Sequence, residues 1–74
     1  MEIEFNVFGK KMVVQRNSEE WRLFLGSGTG VRTRVTDIVI PNDLSEDELV
    51  TFLDDMYHEH ASEKYPEVVK VKEQ

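Results

Sequence analysis

The sequence predicts an α+β fold: an antiparallel β-sheet in the order β-β-β-β-α-β, with one amphipathic helix packed on one face. Three observations predict it. The first 25 residues alternate apolar and polar side chains in short runs, the signature of half-buried strands. Turn-forming residues interrupt those runs at close intervals, which suits hairpins rather than parallel crossovers. One stretch, Leu44 to Ala61, instead follows a helical period behind a clear start signal.

Glu2 to Phe8 alternates, with Ile3, Phe5 and Val7 on one side. Gly9-Lys10 fits a two-residue type II′ turn, because glycine supplies the positive φ at its first position. Lys11 to Arg16 then returns, with Val7 expected opposite Met12, Phe5 opposite Val14 and Ile3 opposite Arg16. Asn17 to Glu20 makes the next turn. Trp21 to Leu25 is the third strand, with Trp21, Leu23 and Leu25 in phase. Gly26 to Gly30 reads as a hairpin loop, and Val31 to Ile40 as the fourth strand. The phase of that strand slips between Val35 and Ile38, and a bulge near Thr36-Asp37 would repair it. Pro41 stops it.

The helix starts at a capping box, Ser45 with Glu48, flanked by Leu44 and Leu49 at staple positions. Leu49, Phe52, Leu53 and Met56 share its expected apolar face, with Val50 and Tyr57 at the margin. Lys64-Tyr65-Pro66 ends the helical region. Glu67 to Lys72 reads as a last strand whose lysines suit a sheet edge.

These connections place odd-numbered residues of strands one, three and four, and even-numbered residues of strand two, on the helix side. The opposite face should carry Glu4, Gln15, Arg22 and Arg34 in one row. Asn6, Val13, Phe24 and Arg32 form the next, with Phe8 near the rim. One helix covers one face, so Phe8, Val13 and Phe24 among the arginines Arg22, Arg32 and Arg34 form the expected binding surface. Arg22 opposite Arg34 is a like-charge pair that asks for a neutralising partner. Aromatic and arginine side chains are enriched where proteins meet.

The 74 residues are read as a single small domain, 1–74. A chain of this length buries only about 60–65% of its unfolded surface, so its stability is thin. It has no cysteine, hence no disulfide or thiolate metal site to add to it. The acidic N-terminus is unlike a secretory signal, and no apolar run nears the roughly 20 residues of a membrane span. A cytoplasmic protein without membrane contact is the expectation. The net charge is −6. Residues 1–40 hold six basic and five acidic side chains, whereas residues 41–74 hold three basic and ten acidic. That balance disfavours nucleic acid as a partner.

The remaining motifs point away from catalysis. Gly26 to Thr33 resembles a phosphate loop, but Val31 and Arg32 stand where a P-loop needs glycine and lysine, and a strand follows where a helix should. His58 and His60 are two residues apart on a helix and diverge by about 200°, so they do not share a metal ion. Ser62 stands where H-E-x-x-H requires its second histidine. His60 itself falls in the apolar stripe, and is expected to be a core-edge histidine hydrogen-bonded to a backbone carbonyl or Tyr65; the functional alternative is a buried acid–base or pH-sensing group, whose pKa burial in the neutral form would lower. The serines have turn, loop or helix-end roles, and Asp54 and Asp55 diverge on the helix. No cofactor is expected.

The succession F-G-K, W-R-L-F-L-G, G-V-R-T-R, I-V-I-P-N-D-L-S-E-D-E-L and D-D-M-Y-H-E-H-A resembles a family of small bacterial proteins of unknown function. The resemblance spans nearly the whole chain and implies no activity, cofactor or site. Together these readings predict a non-enzymatic module that binds a protein partner, or forms a homodimer, through the open sheet face. The alternative is a small-anion, nucleotide or nucleic-acid binder using Arg22, Arg32 and Arg34.

Overall fold

A computed structural model describes residues 1–26 and 32–73, with side chains to residue 71. Five strands form one antiparallel sheet: β1 Glu2–Val7, β2 Lys10–Asn17, β3 Glu20–Leu25, β4 Thr33–Arg34 and β5 Val68–Glu73. Their spatial order is β4-β3-β2-β1-β5. The helix α1, Glu46–Tyr57, lies between β4 and β5 in sequence and carries the chain from one sheet edge to the other. The α+β fold and the strand order along the chain are as the sequence predicts.

The first hairpin turns one residue earlier than expected. Phe8 and Gly9, not Gly9 and Lys10, are its central residues, with φ of 50° and 92°. Positive φ at both positions is the mark of a type I′ turn, whose twist matches the flanking strands. Asn6 Oδ1 accepts the Gly9 N–H at 2.7 Å and holds the turn. Val7 therefore pairs with Lys10, Phe5 with Met12 and Ile3 with Val14. The register moves by two residues, so every side chain keeps its expected face.

Ile3, Phe5 and Val7 of β1, Met12 and Val14 of β2, and Trp21 and Leu23 of β3 are buried together under Leu49 and Leu53 of α1. Val68 of β5 joins them opposite Val7. So does Phe8. Its left-handed backbone turns the ring into the core, where it is 5% exposed and meets His58 edge-on. Phe8 is thus removed from the rim of the open face.

The fourth strand is only two residues long. After Arg34 one more bond, from Val35 N–H to the Leu23 carbonyl, ties the chain to β3. It then leaves the sheet, which settles the phase conflict without a bulge. Ile40 enters the core, Ile38 packs beside it, and Val39 stays 80% exposed. The Trp21 indole N–H donates to the Leu44 carbonyl at 2.9 Å, and Arg16 donates to the Asn42 carbonyl while stacking on that indole. These bonds fasten the turn before α1 to β2 and β3.

At the start of α1 the Glu48 carboxylate accepts both the Ser45 N–H and its hydroxyl at 3.0 Å. Those bonds hold the Glu48 carboxyl below its ordinary pKa, the backbone one most. The buried arc is centred on Leu53 and includes Leu49, with Val50, Phe52 and Tyr57 packed at its borders. Met56, expected within it, is 47% exposed. The α-helix stops at Tyr57, and a 3₁₀ turn carries His58–His60. That change of pitch takes His60 off the stripe. It is exposed and lies near the Tyr57 ring, so the expected core-edge histidine is not present.

β5 pairs with β1 at the sheet edge, and a register shift opposite Glu4 and Phe5 leaves Val71 as the extra residue. A bulge and lysines together are common protection for an exposed strand edge.

Gly9 has no room for a side chain. A Cβ there would lie 2.7 Å from Cδ2 of Tyr65 and would be strained at φ 92°. Gly9→Ala is expected to cost about 1–3 kcal/mol in urea unfolding, with an unchanged m-value. Trp21→Phe, which removes the bond to Leu44 and shrinks the buried ring on which Arg16 stacks, is expected to cost about 1–3 kcal/mol by the same measurement.

Candidate interaction face

The sheet face opposite α1 is assembled from alternate residues of four strands. One row runs Arg22, Gln15, Glu2; the next runs Arg34, Phe24, Val13, Glu4. The row membership of Arg22 with Gln15 and of Val13 with Phe24 matches expectation. Other placements differ, Asn6 (opposite Lys11 rather than Val13) and Arg32 (outside β4 rather than opposite Phe24) among them. Glu4 faces Val13 rather than Gln15, because of the earlier hairpin turn. Arg34 faces Phe24 rather than Arg22, because β4 pairs two residues further along β3.

The expected Arg22–Arg34 repulsion therefore does not arise as a direct cross-strand pair. Both guanidinium groups converge instead on Glu20 Oε1, at 3.1 Å from Arg22 and 3.6 Å from Arg34. Arg34 also lies 5.8 Å from the centre of the Phe24 ring. One carboxylate thus lies against both arginines at the β3–β4 side of the face, leaving one positive charge in excess there.

Arg32 is engaged differently. Its Nη1 and Nη2 donate to the two oxygens of Glu2, each at 2.9 Å. Gln15 Nε2 donates to the same carboxylate at 2.8 Å. This fork-on-fork pair links the segment entering β4 to β1, across the two strands between them. Charge-assisted bonds from Arg32 and then Gln15 pull the Glu2 carboxyl down to about 2. Sequence reading found Arg32 but not its partner, since residue separation says nothing about which strands become neighbours.

Val13 is not open as expected. It is 1% exposed, flanked by Phe24 on one neighbouring strand and Glu4 on the other. Phe24 is half-buried and is the aromatic side chain the face presents. Val69 of β5, paired with Asn6 of this face, is 47% exposed, and the adjoining bulge residue Val71 is 54% exposed. Alternation alone marks neither valine, because it does not name the partner of β5.

The surface depressions near these residues are small or acidic. A cleft of about 260 Å³ lies among Trp21, Leu23, Val35, Ile38 and Ile40, with Glu20 and Arg34 in its wall. Ligand pockets usually begin near 300 Å³. The hollow beside Arg22 is lined by Glu19 and Glu20 as well, which suits an anion poorly. Among the described residues no three histidine, aspartate or glutamate side chains gather as a metal site. His58 pairs with Asp54 at 3.2 Å, one turn back on the helix. The core of the glycine-rich stretch, residues 27–31, lies outside the described residues. Among the described residues no helix is long and apolar enough to cross a membrane.

The Glu2 carboxyl gives the face a pH signature. Its folded pKa, about 2, lies below the unfolded value near 4.5. Its contribution is therefore complete above pH 4.5 and is lost as pH falls toward 2. Glu2 is partly exposed, so the loss is expected to be on the order of 1 kcal/mol. Thermal unfolding followed from neutral pH downward should show wild type losing more stability through this window than Glu2→Gln does.

Residues 2–72 match the family model described as Domain of unknown function (DUF7661), and the chain belongs to that family. No curated protein matches the chain, and no solved structure does.

Proposed function

We propose that this DUF7661 member is a non-enzymatic interaction module that meets a protein partner, or a second copy of itself, through the sheet face opposite α1. The observation that carries this reading is a sheet whose α-helix, the only one among the described residues, lies on one side. The other side offers a half-buried Phe24 beneath Arg34, with Val69 and Val71 exposed toward the β5 edge. An aromatic anchor bordered by arginines is the composition that contact surfaces favour. The residues that bear on binding are Arg22, Phe24 and Arg34, with Arg32 and Val13 as their support. Phe8 drops out, because it serves the core.

The anion-binding alternative has less support. Arg32 is held by both oxygens of Glu2, and Arg22 and Arg34 share Glu20. A phosphate would have to displace a carboxylate already in place.

Phe24→Asp should abolish the contact while leaving the fold intact, as read by circular dichroism and by cross-linking through a photoreactive residue at position 22. If the variant unfolds, Phe24 is core; Arg34→Glu, on an exposed side chain, then takes its place. Unchanged cross-linking in the folded variant overturns the reading.

A further inference from the structure

We infer that a second surface, the groove between α1 and the turn that precedes it, binds a basic segment of a protein partner. An apolar side chain of that segment enters the groove, and lysines or arginines on either side of it meet carboxylates two helical turns apart. This surface lies on the helix side of the sheet, away from the proposed interaction face, and is independent of it. Three observations carry it.

The first is apolar surface left open where the sequence predicts core. Met56 is 47% exposed. Phe52, one turn before it, and Leu44 are only half-buried. Leu44, Phe52 and Pro41 line a groove of about 360 Å³, above the roughly 300 Å³ at which binding pockets usually begin.

The second is uncompensated charge. The groove is walled by Glu48, Thr51 and Asp55, and none of the residues lining it is basic. Residues 41–67 hold nine acidic side chains against Lys64 alone. On the sheet face each arginine has a carboxylate partner within the chain. Around the groove the reverse holds. Asp55 is exposed and makes no ion pair among the described residues. Glu48 is bonded to Ser45, which is neutral and leaves its charge unbalanced. A partner that covers the apolar groove therefore has to bring cations, because a neutral or acidic one would desolvate or repel these carboxylates.

The third is spacing. Glu48 and Asp55 are seven residues apart on α1, which is two turns and about 10 Å along its axis, with Phe52 between them. Carboxylates so far apart do not share one small ion, and among the described residues no three metal-binding side chains gather. An apolar side chain flanked by two basic ones matches the groove and both of its ends.

The test is an amide NMR titration of the whole chain with a synthetic alanine-based helical peptide, leucines along one stripe and lysines on either side. It is run to about 1 mM peptide at low salt, where surface charge is least screened. Shifts should cluster on Leu44, Glu48, Phe52, Asp55 and Met56, and raised salt should weaken binding. Asp55→Lys should lower affinity at least about tenfold and Met56→Ser about fivefold, with circular dichroism unchanged because both side chains are exposed. The same peptide with serine for every leucine should bind at least about tenfold more weakly. Equal binding by the serine peptide reduces the contact to general charge attraction and overturns the inference. So does the absence of any shift, or unchanged affinity in folded Asp55→Lys. Phe24→Asp should bind the peptide as wild type does. A loss in that variant while folded moves the contact to the sheet face, overturning the groove and leaving the proposed interaction face standing.

Discussion

β2 is the constraint on which the structure depends, because it is buried on both sides. Met12 and Val14 face the helix at 2% and 0% exposure, and Val13 between them is 1% exposed on the other face. A strand with one helix above it has no second layer to hide its far side. Here that side is closed by its own neighbours: Phe24 from β3, Glu4 from β1, and an ion-paired row alongside. The strand order follows from this requirement. The strand with consecutive residues buried on both faces, Met12 to Val14, takes the centre, and β5, with Lys70 and Lys72, takes an edge.

Each arginine on that face has a carboxylate partner. Arg32 and Glu2 meet in a two-point bond, and Glu20 stands between Arg22 and Arg34. Exposed pairs of this sort add little stability individually. Their effect is on shape and register. The Arg32–Glu2 bond draws the entry to the two-residue β4 toward β1, across the face. On the helix side, Trp21 plays the matching part: its indole N–H and the Arg16 stacked on it tie the α1 entry turn to the sheet.

Much of the fold was legible because the alternation of side chains survives errors in pairing. Placing the first turn at Gly9-Lys10 instead of Phe8-Gly9 misnames each cross-strand partner of β1 but misplaces no side chain within β1 itself, since a shift of two restores the face. The error fell on Phe8 itself, which alternation put on the open face and the turn put in the core. A bulky residue in a left-handed conformation is uncommon, so local preference argued against the arrangement that occurs. Tertiary packing decided it: the ring is buried and Gly9 lies against Tyr65. His60 and Met56 fail for a related reason. An ideal helical period was extended past Tyr57, where the helix tightens into a 3₁₀ turn.

The fold class, the two faces of the sheet, the start of the helix and the separation of an acidic half from a balanced one can all be read along the chain. Each of these follows from local periodicity or from composition, which need no knowledge of neighbours. Only the tertiary structure decided that β5 joins β1, that Glu2 rather than solvent receives Arg32, and that Glu20 lies against both Arg22 and Arg34. Those contacts link residues up to 70 positions apart. Which distant strands become neighbours depends on the shared core beneath them, and no spacing along the chain encodes that.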